Sequence, residues 1–181
     1  MVYVSTIVEL NKLYELDKSC CITHLTFGDI FNKQIKIPLC VIYLKFGYKF
    51  NQKIILPQNV THLAFGHDFN QKIIIPQSVT YLIFGFKFNQ KIIIPKNITY
   101  LKFCVDFNQY ITIPKNIRYL EFGHEFNKKI NMPQHIVYLF FGKYFNQKIT
   151  IPLSVTHLQI GNDFSQKITI PQNIRHVAVS Y

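Results

Sequence analysis

The prolines of this chain recur at a fixed interval of 19 residues. All seven glycines share a second phase of the same period, in which only Cys104 replaces glycine. A fixed period of this kind indicates a solenoid, in which each repeat forms one turn and stacks on its neighbours. The chain therefore divides into an N-terminal cap at 1–21, eight repeats at 22–173 and a partial ninth repeat, a terminal strand, at 174–181. The prolines are Pro38, Pro57, Pro76, Pro95, Pro114, Pro133, Pro152 and Pro171.

The first half of each repeat predicts a β-strand. The repeat that begins at Val79 reads VTYLIFGFKFNQKIIIPKN. Val79, Leu82 and Phe84 have the spacing of a leucine-rich repeat strand. Because side chains alternate along a strand, Leu82 and Phe84 are expected to point into the core, while Tyr81 and Ile83 point outwards.

The second half of each repeat predicts a second short extended segment. Ile92 and Ile94 are expected to face inwards and Ile93 outwards. Pro95 ends this segment because it has no N–H to donate. Two extended segments and two corners leave no room for a helix in 19 residues, so the convex side is expected to be extended or turn-like rather than helical.

Two residue types mark the corners of each turn. Asn follows the second Phe of every repeat except the last, where Ser165 replaces it. Stacked side-chain amides can pair the backbone groups of a corner, so a structural Asn ladder is expected. The recurring Gly indicates either a positive φ or a close approach of two backbones.

The motif F-G-x-x-F-N-Q-x-I-x-I-P closely resembles the FNIP (FGxxFN-motif) repeats, a branch of the leucine-rich repeat superfamily found in giant DNA viruses and social amoebae. The resemblance covers residues 22–179 and implies a right-handed solenoid, mostly β, with a parallel sheet on its concave face. The period of 19 is shorter than the usual 20–29 of leucine-rich repeats. The family resemblance implies a scaffold for protein–protein interaction. Family members often carry an F-box that links them to ubiquitin ligases, but residues 1–21 are too short for one, so a substrate-recognition role rests on resemblance alone.

One outward-facing position of the strand is aromatic in every repeat. Residues one period apart stack about 4.8 Å apart in a solenoid, so these rings form a column. Such a column is either a recognition surface, since Tyr is common in binding hot spots, or a self-stacking ladder that stabilises the sheet. No third ligand accompanies the histidines at its C-terminal end, so no metal site is predicted. The aromatic column comprises His24, Tyr43, His62, Tyr81, Tyr100, Tyr119, Tyr138, His157 and His176.

The neighbouring outward position varies in character from repeat to repeat. Variable residues beside a constant stripe are where a solenoid reads a specific partner. We therefore predict a protein partner on the concave face, bound by the aromatic column together with this variable column. Its most distinctive members are Lys45, Ile83, Lys102, Glu121 and Phe140, which stand among Thr26, Ala64, Gln159 and Ala178.

A third column is basic and contains no acidic residue. It predicts either binding of a polyanion, such as nucleic acid or an acidic protein, or a solvated face that limits aggregation. Beside it, Ile55, Ile74 and Ile93 form either a contact patch or a surface that the lysine stems cover. The basic strip comprises Lys53, Lys72, Lys91, Lys129, Lys148 and Lys167, with Gln34 and Tyr110 in the same column.

The remaining features exclude several classes of function. No phosphate-binding loop, metal-spaced Cys/His cluster or nucleophile elbow occurs, so neither an enzyme nor a cofactor is predicted. No apolar run is long enough to span a bilayer, and the N-terminus lacks the basic region of a signal peptide. We therefore expect no membrane partner and an intracellular location, in the cytoplasm of a host cell. An exposed strand edge invites pairing, so a homodimer through the terminal strand or the cap is also predicted.

Overall fold

A computed structural model describes residues 2–4 and 22–180 and contains one ten-stranded parallel sheet. The strands follow one another in chain order, so each pairs with the strands before and after it. No helix occurs in the described ranges, and the fold from β2 to β10 is a parallel β-solenoid of eight turns. The strands are β1 (Val2–Val4), β2 (His24–Phe27), β3 (Tyr43–Lys45), β4 (His62–Ala64), β5 (Tyr81–Phe84), β6 (Tyr100–Phe103), β7 (Tyr119–Glu121), β8 (Tyr138–Phe140), β9 (His157–Gly161) and β10 (His176–Ser180).

The first and last strands, β1 and β10, form the two edges of the sheet. β1 pairs with β2 in parallel, and β10 pairs with β9. The rest of the predicted N-terminal cap, residue 1 and residues 5–21, lies outside the described residues.

The register between strands equals the sequence period. Tyr81 pairs with Tyr100 and Leu82 with Leu101, so residues 19 apart lie side by side. The same offset holds for every strand pair from β2 to β10. The columns inferred from the sequence are therefore columns in space.

The core is built from two stacked columns of phenylalanine. Phe84 and Phe88 are almost completely buried, and their ring centroids lie 3.8 Å apart. Phe84 also stacks on Phe103 of the next repeat, with a centroid distance of 5.3 Å. Because each ring packs within its own repeat and against the next, removing one ring would cost about 3–5 kcal/mol. The phenylalanines with less than 2% exposure are Phe27, Phe46, Phe50, Phe69, Phe84, Phe88, Phe103, Phe107, Phe122, Phe126, Phe141 and Phe145.

The side opposite the sheet has the predicted alternation but no strands. Ile94 is buried, Ile92 packs against the core and Ile93 is 89% exposed. Between residues 22 and 180, no strand is assigned to this segment in any repeat. A turn follows, in which the Ile98 N–H donates to the Pro95 carbonyl oxygen at 3.2 Å. The segment is thus held by its buried side chains and by this turn.

The recurring glycine reflects a close approach of backbones and not a left-handed conformation. No glycine among the described residues has a positive φ. A Cβ atom added at Gly85 would lie 1.8 Å from the Gly66 carbonyl oxygen. Of the two explanations inferred from the sequence, the close approach is confirmed and the positive φ is wrong.

The predicted Asn ladder is confirmed. The Oδ1 atom of Asn89 accepts the backbone N–H of Asn108 at 3.0 Å and the Nε2 atom of Gln109 at 3.0 Å. At this corner, one side-chain oxygen therefore makes two hydrogen bonds to the next repeat. The Oδ1 atom of Asn108, which faces Lys128 instead of a glutamine, accepts the Asn127 N–H at 3.0 Å. A second ladder, not predicted from the sequence, uses the last residue of the repeat: the Nδ2 atom of Asn97 donates to the Gln77 carbonyl oxygen at 2.9 Å.

Candidate functional site

The aromatic column on the outer face of the sheet is a self-stacked ladder over most of its length. The ring of Tyr100 stacks on Tyr81 and on Tyr119, with a centroid distance of 4.1 Å to each. Tyr43 stacks in the same way between His24 and His62, at 4.2 Å from each. The faces of these rings are therefore covered by one another, and a partner would meet their edges and polar atoms.

The ladder is interrupted at three points. The centroid distance widens to 5.5 Å between His62 and Tyr81. It widens to 5.8 Å between Tyr119 and Tyr138, where the ring planes are tilted by 34°. The last pair, His157 and His176, lies 6.2 Å apart, and no group of three metal-ligating side chains occurs in the part of the chain that the structure describes.

At this break, Tyr119 contacts residues of the variable column. The Tyr119 hydroxyl donates to the Glu121 Oε2 atom at 2.5 Å, and the Tyr119 ring lies 5.4 Å from that of Phe140. Glu121 also accepts an ion pair from the Lys102 Nζ atom at 2.7 Å. Tyr119, Glu121 and Lys102 thus form one network that joins the aromatic column to the variable column.

This network raises the pKa of Tyr119 and the pKa of Lys102. Burial and the hydrogen bond to Glu121 raise the pKa of Tyr119 well above its usual value, so the phenol remains a donor at neutral pH. Burial opposes the charge of Lys102, but the hydrogen bond and charge of Glu121 outweigh it and raise the pKa of the ammonium group. The ammonium group of Lys102 is therefore charged at physiological pH.

Histidines of the column are held by the residue before them. The Thr61 Oγ1 atom lies 2.8 Å from the Nδ1 atom of His62, and Thr23 and His24 make the same contact at 2.9 Å. Burial, with a smaller contribution from the charge of His24, lowers the pKa of His62. His62 is accordingly a neutral imidazole at pH 7. The signal for this contact in the sequence is the dipeptide Thr-His, which occurs at Thr23, Thr61 and Thr156.

The outer face of the sheet has two different depressions. One, of about 240 Å³, lies over β2 to β5, where small residues such as Ala64 stand beside Lys45 and Tyr43. The other, of about 440 Å³, lies over β6 to β9 and is lined by the Lys102–Glu121 pair and Phe140, among others. The N-terminal half of the face is thus mainly apolar with a lysine, and the C-terminal half carries an ion pair and an aromatic ring. Ile83 lies between them in β5, partly buried.

A second aromatic stack, not predicted from the sequence, lies at the corner after the glycines. His67 stacks on Tyr48 at 4.3 Å and on Phe86 at 4.7 Å. Next to it, Asp68 pairs with Lys87 at 2.9 Å and with Lys49 at 3.5 Å. Hydrogen bonds from Lys87 and His67 lower the pKa of Asp68 to about 2. Asp68 thus forms ion pairs with the lysines of both neighbouring repeats.

The side opposite the sheet, called the far side below, carries the basic strip and the three isoleucines. Lys53, Lys72, Lys91, Lys129, Lys148 and Lys167 are all exposed. Ile55, Ile74 and Ile93 are 91%, 89% and 89% exposed, so the hypothesis that lysine stems cover them is wrong. Within the described ranges, no helix is long and apolar enough to cross a bilayer.

Comparisons with known proteins agree with this architecture. The family model described as FNIP Repeat matches residues 50–87, 88–113, 107–144 and 145–180. A solved structure described as the crystal structure of CroV588, a novel circular LRR protein, is 40% identical in sequence and has a TM-score of 0.76. The match covers 86% of the present chain and 26% of that chain, so the present chain spans about a quarter of its length. A search of curated proteins gave no match.

Proposed function

Because the chain belongs to the FNIP repeat family, we propose that it is a non-enzymatic scaffold that binds a protein partner through the outer face of its sheet. The observation that carries this proposal is the variable column, in which one surface position changes from Lys45 to Ile83 to Phe140 while the core positions beside it stay constant. Residues that the core does not constrain are free to complement a partner.

The geometry of the aromatic column defines what a partner would contact. Since the rings stack on one another, they offer hydroxyl groups and ring edges more than open faces. Tyr and Trp dominate binding hot spots because a large rigid ring loses little entropy on binding. The depression over β6 to β9 adds a charged pair, Lys102 and Glu121, beside Phe140. A partner with a polar segment and an apolar anchor fits this half of the face.

Substitutions in the variable column test the proposal without breaking the ladder. Lys45→Ala combined with Phe140→Ala is compatible with the fold, because Ala64 and Ala178 occupy the same column. Partner capture from an extract of the natural host should be lost in this variant. The matched control is Lys91→Gln on the far side, since Gln34 occupies that column. Equal capture by the wild type, the variant and the control would contradict binding through the sheet.

The family resemblance adds a narrower version of this role, the recognition of a substrate for a ubiquitin ligase. The same capture tests it, because a ligase subunit should then be recovered together with the sheet-face partner. Recovery of a partner without any ubiquitin ligase component would leave the scaffold role and exclude the narrower one.

Two further interactions are second candidates. Polyanion binding along the basic strip is supported by the exposure of all six lysines, and it predicts salt-sensitive binding of RNA or heparin. A homodimer through the terminal strand or the cap is the other candidate, because the edge of a sheet can pair with a second copy. Sedimentation equilibrium that gives only the monomer mass at high concentration would exclude the dimer.

A further inference from the structure

The net charge of the chain is confined to one half of each repeat. The nine residues that follow the second Phe of the eight repeats hold eleven of the twenty basic residues and none of the nine acidic ones. The other nine basic residues are balanced by the nine acidic residues elsewhere in the chain, so these half-repeats account for the whole formal charge of +11. These half-repeats form the far side, which therefore attracts anions along its whole length.

Repeats 2 to 4 add exposed aliphatic groups to this charge. Within one repeat, Lys53 and Ile55 are exposed on either side of Ile54, which packs against the core. Residues two apart in an extended segment project from the same side, about 7 Å from each other. The next two repeats place the pairs Lys72–Ile74 and Lys91–Ile93 in the same columns, so three lysines run parallel to three isoleucines.

The isoleucines protrude as ridges above shallow grooves. A groove of about 520 Å³ between repeats 2 and 3 is lined by Ile55 and Ile74, with Lys72 and Lys91 also at its wall. None of the ion pairs found among residues 22–180 involves Lys53, Lys72 or Lys91. We propose that the far side of repeats 2 to 4 is a docking surface for an anionic lipid membrane, in which the three isoleucines enter the interface and the three lysines contact lipid phosphates.

The chemistry of the patch favours a membrane over other anionic partners. Isoleucine has no aromatic face on which a nucleic-acid base could stack. A second copy of this chain would bring one lysine column against another, so like charges would oppose the contact. Three side chains on neighbouring ridges are far fewer than the roughly 20–30 residues per side of a standard protein interface. An anionic bilayer needs only aliphatic groups that can insert and cations beside them.

This surface is distinct from a membrane span. The expectation of no membrane partner rested on the lack of a long apolar run, and that lack concerns only spanning segments. A protein that lies on the bilayer needs exposed apolar side chains and basic residues instead.

Vesicle binding tests the proposal directly. The wild-type chain should bind vesicles of phosphatidylcholine with phosphatidylserine in a flotation assay, and added salt should weaken the binding. Vesicles of phosphatidylcholine alone should bind much less. Absence of binding to the phosphatidylserine vesicles at low salt would overturn the proposal.

The chain supplies fold-compatible variants for each part of the patch. Ile55→Thr with Ile74→Thr and Ile93→Thr copies the threonines of later repeats, Thr112, Thr150 and Thr169. This variant should lose about tenfold or more in vesicle partition, because each aliphatic side chain that leaves water contributes separately. Circular dichroism should show an unchanged fold.

Lysine variants separate the contribution of charge to vesicle binding from the contribution of isoleucine insertion. Lys53→Gln with Lys72→Gln and Lys91→Gln copies Gln34 and should lower partition about fivefold per lysine. The same change at Lys129, Lys148 and Lys167 should weaken binding less, because Asn131, Thr150 and Thr169 stand where the exposed isoleucines of repeats 2 to 4 stand.

The outcomes distinguish this surface from other anionic partners and from the sheet face. If the isoleucine variant binds vesicles as the wild type does, while both lysine variants lose vesicle and RNA binding equally, the surface is a polyanion site and the membrane proposal is wrong. The sheet-face variant Lys45→Ala with Phe140→Ala should bind vesicles normally. A failure of the proposed scaffold role would therefore leave this test unchanged.

Discussion

The Asn ladder gives a quantitative prediction for the replacement Asn89→Leu. In the structure, the Oδ1 atom of Asn89 accepts the backbone N–H of Asn108 and the Nε2 atom of Gln109, each at 3.0 Å. Leucine has the same branched side chain of four heavy atoms and no acceptor, so the substitution removes both bonds at the contact between repeats 4 and 5. Asn89→Asp is the matched control, because its carboxylate keeps an acceptor at the same place.

The magnitude follows from the two donors. The Asn108 N–H is partly buried, and leaving such a group without a partner costs about 1–3 kcal/mol. The Gln109 side chain can hydrogen-bond to water instead, so the loss of its bond to Asn89 contributes about 0.5 kcal/mol. Since Asn89 is itself only partly buried, water can reach the corner, and the expected total is about 2 kcal/mol. The aspartate variant should stay within about 0.5 kcal/mol of the wild type.

Urea unfolding followed by circular dichroism measures this difference. The midpoint should fall for the leucine variant and not for the aspartate variant, with a comparable slope for both. A lower slope for the leucine variant alone would show that repeats on either side of the break unfold separately, as a solenoid with nearest-neighbour coupling permits. If the two variants unfold within about 0.5 kcal/mol of each other, the ladder contributes no more than an ordinary surface contact and the reasoning is wrong.

Three further predictions concern the corner and the charged networks. Gly123→Ala should lower the melting temperature by about 4–8 °C, corresponding to about 2 kcal/mol. The reason is that the Cβ of the new alanine would lie 1.8 Å from the Cys104 carbonyl oxygen. An unchanged melting curve would contradict the close approach of the two backbones. The pKa of Asp68 is lowered to about 2 from an ordinary 3.8. The stabilising contribution of the Asp68 carboxylate is therefore complete above about pH 4 and is lost as the pH falls towards 2. The urea midpoints of the wild type and Asp68→Asn should converge over that pH range, and a constant difference between them would refute this pH dependence. Glu121→Gln should lower the pKa of Tyr119, because it removes the charge that stabilises the protonated phenol; an unshifted nuclear magnetic resonance titration of Tyr119 would contradict this.

The interior of the solenoid was predictable because every repeat has the same pattern of apolar, glycine and proline positions. The phases of Pro95 and Gly85 give the period, and the alternation of Leu82 and Phe84 gives the buried face. A wrong register would have placed polar residues in the core of all eight repeats at once. Redundancy across repeats therefore resolved what one short strand could not.

Features that depend on neighbouring repeats of different composition were not predictable in this way. The stack of Tyr48, His67 and Phe86 occupies a column in which the residue type changes from repeat to repeat, so no recurring residue predicts it. The break at Tyr119 requires knowing that Glu121 lies within hydrogen-bonding distance of the phenol. Both features depend on ring geometry and side-chain direction, and the 19-residue period of the sequence gives no information on either of these.

The separation of the two candidate surfaces has a consequence for how they act together. The sheet face and the far side are joined through a closely packed core of phenylalanines, and no residue of one surface belongs to the other. Coupling between sites requires an element with two arrangements that both ligands bias. Each repeat of this fold is instead held to the next by an aligned register, stacked rings and the Asn ladder. Binding at the two surfaces should therefore be additive: occupancy of the sheet face by a partner should leave the vesicle partition coefficient unchanged, and a partition coefficient that shifts with partner concentration would show that the repeats move relative to one another.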